Sequence, residues 1–289
     1  MTSTTHHVAE LNALVMDFAL PASLFVATAL TRRETLLAQW PLLAVLTASM
    51  LVLYAISWWM QRRLFKMAPG EASVQALTIA LPNYLAGLPL IPAVFGEADS
   101  IFVALAIAAG SIVTSPLTLA ILEAQKTVAA RRKQNAGALL AAVGRSFREP
   151  IVLGPIVGIV FALIGIPLAP FVAHAFQLIG EAAGGVALFL TGLILSAQWI
   201  SLGANVLSGT LLKNVVHPLL AYALILILPM QHDTAHASLL LVALPSGFFG
   251  VLFGLRYGLE SETAGATLIV SSLASIVTLA AALLLTAGW

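Results

Sequence analysis

The chain has 289 residues, of which 60% are hydrophobic and 9% charged, against roughly 25% charged residues in an ordinary soluble domain, and this excludes a soluble globular protein. Thirteen Lys+Arg oppose twelve Asp+Glu for a formal charge of +1, and the basic residues lie in short stretches rather than a stripe, so a nucleic-acid footprint is absent. There are no cysteines, which removes disulfides, thiolate metal sites and cysteine nucleophiles.

A membrane crossing of ~30 Å needs ~20 apolar residues in a helix. The apolar stretches predict nine such helices, over 12–31, 38–60, 74–97, 100–123, 150–173, 176–198, 204–229, 236–258 and 263–287. Met1 to Glu10 hold no Lys or Arg and no small-residue cleavage pattern, so the first span is expected to stay in the mature protein. Alternating the loops places Arg62, Arg63, Lys66, Lys126, Arg131, Arg132, Lys133, Arg145 and Arg148 on one side, with Lys213 and Arg256 near helix ends facing it. Only Arg32 and Arg33 fall opposite, so the basic side is expected to be cytoplasmic. The break at 124–149 divides the chain. Within it Leu139, Leu140, Val143 and Phe147 at helical spacing beside Arg145 and Arg148 fit either an amphipathic helix on the inner leaflet or a solvated linker.

The chain also matches itself at an offset of about 163 residues. Ala80-Leu81-Pro82 matches Ala243-Leu244-Pro245, and Ser111-Ile112-Val113-Thr114 matches Ser275-Ile276-Val277-Thr278. Five crossings separate the two copies, so they run in opposite directions, as in inverted-repeat secondary transporters. We read residues 1–123 as a first repeat of four spans, 124–149 as a cytoplasmic linker and 150–289 as a second repeat of five. The unmatched span, 150–173, has its counterpart upstream of residue 12, so the first repeat is expected to lack its first helix.

Two spans carry Pro and Gly at their centres. Around Pro82, Asn83 and Tyr84 with Gly87, Pro89 and Pro92, and around Pro245, Ser246, Gly247 and Phe248 with Gly250, a regular helix cannot persist. Backbone groups freed at membrane depth must be satisfied by protein or a water-filled cavity, so both breaks are expected in the interior, crossing each other. The crossing would present two half-helix N-termini, whose free N–H groups and partial positive charge favour a carboxylate. Asn83 and Ser246 would add polar contacts, with Tyr84 and Phe248 as cavity walls; capping of a broken helix is the other role open to Asn83. Ser111, Thr114 and Ser115, and Ser271, Ser272, Ser275 and Thr278, give the two matched helices a small polar face suited to close packing. Gly250, Gly254 and Gly258 form a similar stripe.

Ionisable groups inside spans are costly and worth naming: Asp17, Glu181, Lys213, His217 and Arg256. Lys213 and Arg256 are expected to snorkel to the cytoplasmic boundary. His217 lies deeper, one turn beyond Lys213, and is either a proton relay or a hydrogen-bonded structural histidine. Asp17 and Glu181 fit an interfacial position. His232 and His236 have helical spacing beside Asp233 but lack the glutamate of the metalloprotease pattern, and no phosphate loop with a lysine is present. No catalytic cluster and no metal site is expected.

Leu11-Asn12-Ala13-Leu14-Val15, the run Phe18 to Phe25, the Leu81-Pro82-Asn83 break with Gly87, Pro150, Ala187-Leu188-Phe189 with Gly192, and Leu244-Pro245-Ser246-Gly247 resemble the auxin efflux carrier family over nearly the whole chain. The run at 244–250 is similar to its bacterial malonate-carrier branch. The resemblance implies an all-α polytopic membrane protein of two inverted five-helix repeats with two crossing broken helices, similar to the bile-acid-transporter fold, with the crossover at Pro82, Asn83, Pro245 and Ser246.

The expected function is secondary transport of a small organic anion, a carboxylate such as malonate, across a bacterial inner membrane by alternating access, with 38–123 and 204–287 moving against 12–31 and 150–198. An anion channel and an intramembrane enzyme are the alternatives. No cofactor is expected; the coupling ion, H+ or Na+, is open. The expected partners are the anion and membrane lipid, without nucleic acid, and a homodimer is admitted.

Overall fold

Prolines set both the starts and the interruptions of the helices. The computed structural model describes residues 2–96, 101–129, 141, 143–196, 201–259 and 262–286, and the regular elements among them are helical. The chain opens with α1 (Thr2–Leu14), a π-helical turn (Val15–Ala19) and α2 (Leu20–Ala29). Next come α3 (Arg33–Ala38), α4 (Trp40–Arg63), α5 (Pro69–Ala80), a 3-10 turn (Tyr84–Ala86), α6 (Gly87–Phe95) and α7 (Ile101–Ala129). The second half holds α8 (Pro150–Ile164), α9 (Pro170–Ser196), α10 (Ala204–Leu211), a second π turn (Leu212–Val216) and α11 (His217–Ile227). It ends with α12 (His232–Ala243), α13 (Phe249–Arg256) and α14 (Glu262–Thr286).

Pro69 and Pro150 open α5 and α8, each preceded by a residue in extended conformation, because proline tolerates the first helical turn and pushes its predecessor out of the helical region. Arg62 and Arg63 close α4, where basic groups meet the negative end of the helix dipole.

Six helical stretches among the described residues are long and apolar enough to cross a membrane: His7–Ala29, Trp40–Arg63, Ile101–Lys126, Pro170–Ser196, Ala204–Ile227 and Glu262–Thr286. The remaining three of the nine expected spans are not continuous rods of that length. Pro150–Ile164 has 15 residues, about 22 Å of helix, and stops at Gly165 in the left-handed conformation, φ 75°. The stretches 74–97 and 236–258 are each interrupted near the middle. Arg131, Arg132, Lys133, Leu139, Leu140 and the side chain of Glu181 lie outside the described residues. Val143 and Phe147 are described and exposed.

The helices pack in two groups. In one, α2 lies against α8 and α9, and the approach is close: a Cβ on Gly158 would come within 2.5 Å of the Phe25 carbonyl. Phe25 meets Phe161 edge-on at 5.7 Å and the tilted ring of Phe176 at 5.0 Å. The other group joins α4, α5, α7 and α10 to α14 around a buried core that includes Leu46, Met50, Leu77, Ile79 and Leu240. The groups meet through α2 and α8 against α7 and through α1 against α13.

Candidate functional site

Both interruptions begin at a residue forced out of the helix by the proline that follows. Leu81 ends α5 at φ −92°, ψ 116°, and Leu244 ends α12 at φ −55°, ψ 152°. Each break then satisfies the other. Asn83 N–H donates to the Pro245 carbonyl at 2.8 Å and Gly247 N–H to the Leu81 carbonyl at 2.7 Å, forming an isolated antiparallel bridge between Pro82 and Ser246. A Cβ on Gly247 would stand 2.5 Å from the Leu81 oxygen, so only glycine permits this approach. Beyond the crossing the chain resumes as the 3-10 turn and α6 on one side and as α13 on the other, and the first N–H groups of a helix have no intrahelical acceptor.

A cavity of about 780 Å³ opens between the two packing groups at this crossing. Pro82, Tyr84, Gly247 and Phe248, four of the eight residues expected at the site, line it. The other four do not. Gly87 packs on Leu244, Pro245 gives its carbonyl to Asn83, and Ser246 is fully buried with no partner for Oγ among the described residues. Asn83 is half-buried; its side chain makes no capping bond, and Oδ1 is enclosed without a partner among the described residues. The opposite wall comes from Ser23, Leu24 and Ala27 of α2 and Gln177 and Gly180 of α9. Sequence reasoning missed that wall. The signal for Gln177 was an uncharged amide in an apolar span, passed over in favour of ionisable groups.

The second break is supported from behind. In an unbroken helix Ser246 N–H would donate to the Val242 carbonyl. Instead it donates to Ser271 Oγ at 2.9 Å, and the Ser271 hydroxyl donates to Asn214 Oδ1 at 2.6 Å. The freed Val242 carbonyl accepts from Lys213 Nζ at 2.6 Å. Lys213 and Asn214 are neighbours in the second π turn, a distortion that recurs at functional sites. The expectation that Lys213 snorkels is therefore corrected: its side chain is 0% exposed, because the Val242 carbonyl and His217 Nδ1, 3.1 Å away, hold it inside. His217 is equally buried, with Nε2 3.3 Å from Ser49 Oγ. On the polar face of α14, Ser271 reaches the crossing, whereas Ser272 and Ser275 return their hydroxyls to their own helix. Of the glycine stripe, Gly250 packs on α5, while Gly258 has φ 68° and meets nothing within 4 Å, so its role is the turn rather than packing.

Arg256 at the end of α13 is part-exposed and joins the two helix groups. Its guanidinium is 2.6 Å from Asp17 Oδ1 and 3.0 Å from Glu149 Oε2. Beside it Tyr257 donates its hydroxyl to Glu123 Oε1 at 2.9 Å, Arg145 Nε lies 3.4 Å from Glu123 Oε2, and Lys126 sits 4.1 Å over the Tyr257 ring. Burial holds the Glu149 carboxyl above the usual carboxylate range; Arg256 pulls it down, and Asp17 and Glu123 push it further up. A carboxyl raised on folding contributes stability that is present below its unfolded value of about 4.3 and is lost as pH rises through the folded value. Glu149→Gln is therefore expected to be at least as stable as the parent at neutral pH, with the difference shrinking towards pH ~5, measured by thermal unfolding in detergent.

His236 is held by Thr286 at 2.6 Å and by the Phe95 ring at 4.8 Å. No group of three or more His, Asp or Glu able to hold a metal ion occurs among the described residues.

The family described as membrane transport protein matches residues 3–283. An uncharacterized transporter, YfdV, of Escherichia coli K12 is 30% identical over 275 residues, covering 92% of this chain and 85% of that protein, and the Shigella flexneri protein of the same name matches equally. Auxin efflux carrier component 6 of Arabidopsis thaliana is 27% identical over 146 residues, 48% of this chain and 26% of the plant protein. With apolar helices of membrane-crossing length and a family match over nearly its full extent, the chain is a multi-pass membrane transporter that belongs to the auxin efflux carrier family.

Proposed function

We propose that the chain is a secondary carrier for a small organic anion, a mono- or dicarboxylate such as malonate, working by alternating access at the crossing. One observation carries the reading: the 3-10 turn that leads into α6 and the start of α13 are brought together at a cavity of about 780 Å³ that lies between two separately packed helix groups. Each partly buried helix start offers an anion up to ~2 kcal/mol. The Ser246 hydroxyl and the Asn83 amide at the crossing, and Ser23 and Gln177 on the opposite wall, are side chains able to donate to it. The helix group around α2, α8 and α9 serves as scaffold, and the group carrying the crossing moves against it. The matched Ala-Leu-Pro segments occupy equivalent places at the two breaks, which supports an inverted repeat. The basic cluster at Lys126, Arg145 and Arg256 supports a cytoplasmic face there, and the bacterial relatives support an inner-membrane location.

The test is counterflow of labelled malonate in proteoliposomes. Saturable uptake stimulated by malonate on the far side is expected; leak without counterflow indicates a pore and overturns the carrier. Asn83→Ala removes one hydrogen bond to a charged ligand, about 1.5–3 kcal/mol, so malonate affinity is expected to fall at least tenfold. Its unfolding temperature should not change, since the side chain makes no capping bond. Unaltered affinity would remove Asn83 from the site.

A further inference from the structure

Lys213 and His217 are fully buried titratable side chains to which the carrier reading assigns no task. Their hydrogen bonds can be followed from one end. The Leu46 carbonyl only accepts, so the Ser49 hydroxyl donates to it at 3.1 Å. Ser49 Oγ then accepts from His217 Nε2–H at 3.3 Å, which leaves Nδ1 as the acceptor of a neutral imidazole. Lys213 Nζ donates to that nitrogen at 3.1 Å and to the Val242 carbonyl at 2.6 Å. Two N–H groups meet both acceptors, so a neutral amine completes the network. An added proton gives Lys213 a third N–H and a full positive charge.

Among the described residues no acidic side chain pairs with that charge. The elements packed on this segment are α4, α5, α10 to α12 and α14. Arg62, Arg63, Glu71, His232, Asp233 and Glu262 lie at the ends of their helices. Tyr54 and His236 are bonded to Thr118 and Thr286, and Tyr222 is 40% exposed. An unpaired buried charge costs several kcal/mol, and an anion close by offsets part of that cost. The pair lies directly behind the second break, on which the proposed anion site is built: the Lys213 nitrogen rests on the carbonyl three residues before Pro245, and Asn214 reaches Ser246 through Ser271.

We propose that Lys213 and His217 form a proton site linked to anion binding at the crossing, so that the carrier takes up one proton with each anion it loads. An N–H bond forms on the Lys213 lone pair with a proton from water, and the same proton returns to water when the anion leaves; no other bond changes. The linkage is reciprocal, since the proton strengthens anion binding by the factor by which the anion strengthens proton binding. The inference rests on the carrier reading and adds its coupling ion.

Calorimetric titration of the full chain in detergent with malonate, in phosphate and in Tris, counts the protons taken up per anion, because the two buffers differ in ionisation enthalpy. The range of pH about 7.5 to 9 keeps both malonate carboxyls ionised. The expected result is uptake approaching one proton per malonate bound, with Kd weakening about tenfold per pH unit at the alkaline end. Lys213→Arg keeps a permanent charge and is expected to bind with no proton uptake and a pH-independent Kd. Lys213→Met is expected to bind weakly, also without uptake; if it fails to fold, the arginine variant carries the test. Malonate binding by the parent without proton uptake overturns the proton site and leaves the carrier standing, as does undiminished uptake in Lys213→Arg. Absence of malonate binding together with absence of counterflow overturns the carrier reading, and the proton site with it.

Discussion

Gly250→Leu is expected to destroy the fold of the crossing. Gly250 sits in the first turn of α13 against α5, and a Cβ there would fall within 2.5 Å of the Val74 carbonyl and 3.0 Å of the Thr78 nitrogen, and against Thr78 Oγ1. That hydroxyl already donates to the Val74 carbonyl at 3.0 Å, so yielding would break a buried hydrogen bond. The backbone of α5 cannot retreat either, because Ala76, Leu77 and Ile79 in the same turns are 0% exposed and packed in the core. Overpacking costs ~1–3 kcal/mol for small insertions and more where backbone must move. Alanine should cost about 2 kcal/mol, and leucine should exceed the margin that keeps the chain folded. Thermal unfolding followed by size-exclusion chromatography in detergent reads the difference. The control is Gly192→Ala in α9, where nothing lies within 4 Å and the change should be neutral or stabilising by up to ~1 kcal/mol. A monodisperse Gly250→Leu protein with the parent's unfolding temperature would mean that α5 and α13 do not approach so closely.

The breaks were legible because a proline pattern recurs. Pro82 and Pro245 remove an N–H, and Leu81 and Leu244 before them take extended geometry. The expectation that Pro89 and Pro92 also disrupt the helix is corrected, since α6 runs through both, and Pro116 and Pro155 likewise lie inside helices. It is therefore the repeated Ala-Leu-Pro pattern rather than proline alone that locates the breaks. Span length was less legible: apolar composition continues through 74–97, 150–173 and 236–258 although the helices there stop or break. The pairing of Arg256 with Asp17 spans 239 residues of sequence, and no local pattern encodes a partner so distant. Lys213 failed for a subtler cause. Its position four residues before His217 was visible, but snorkelling is the cheaper outcome only when no acceptor lies within reach. The acceptor here is a carbonyl freed by a break in another helix, and this consequence of Pro245 appears only once the helices are assembled. Of the cavity wall from α2 and α9 only Gln177 carries a sequence signal, because Ser23 and Gly180 are indistinguishable in sequence from residues used for packing.

Ser271→Ala is expected to cost roughly 2–4 kcal/mol, far more than the loss of one hydroxyl normally does. The hydroxyl stands between two buried groups, accepting from Ser246 N–H at 2.9 Å and donating to Asn214 Oδ1 at 2.6 Å. Removing it leaves one donor and one acceptor without partners, and each unsatisfied buried group costs ~1–3 kcal/mol. Ser246 N–H cannot return to Val242, whose carbonyl is held by Lys213, unless the break itself closes into a helix. The neighbouring Ser272→Ala is the control: its hydroxyl serves only the Leu268 carbonyl of its own helix, so a change within ~0.5 kcal/mol is expected. Asn214→Ala and the double variant complete a cycle. Because the two side chains bond each other, the combined loss should fall short of the sum of the single losses by about 1 kcal/mol or more. Strict additivity would mean that Ser271 and Asn214 act separately and that the relay behind the crossing does not exist. The same variants also separate packing from support, since a residue that merely filled space in α14 would tolerate alanine, the small side chain that close helix approach favours.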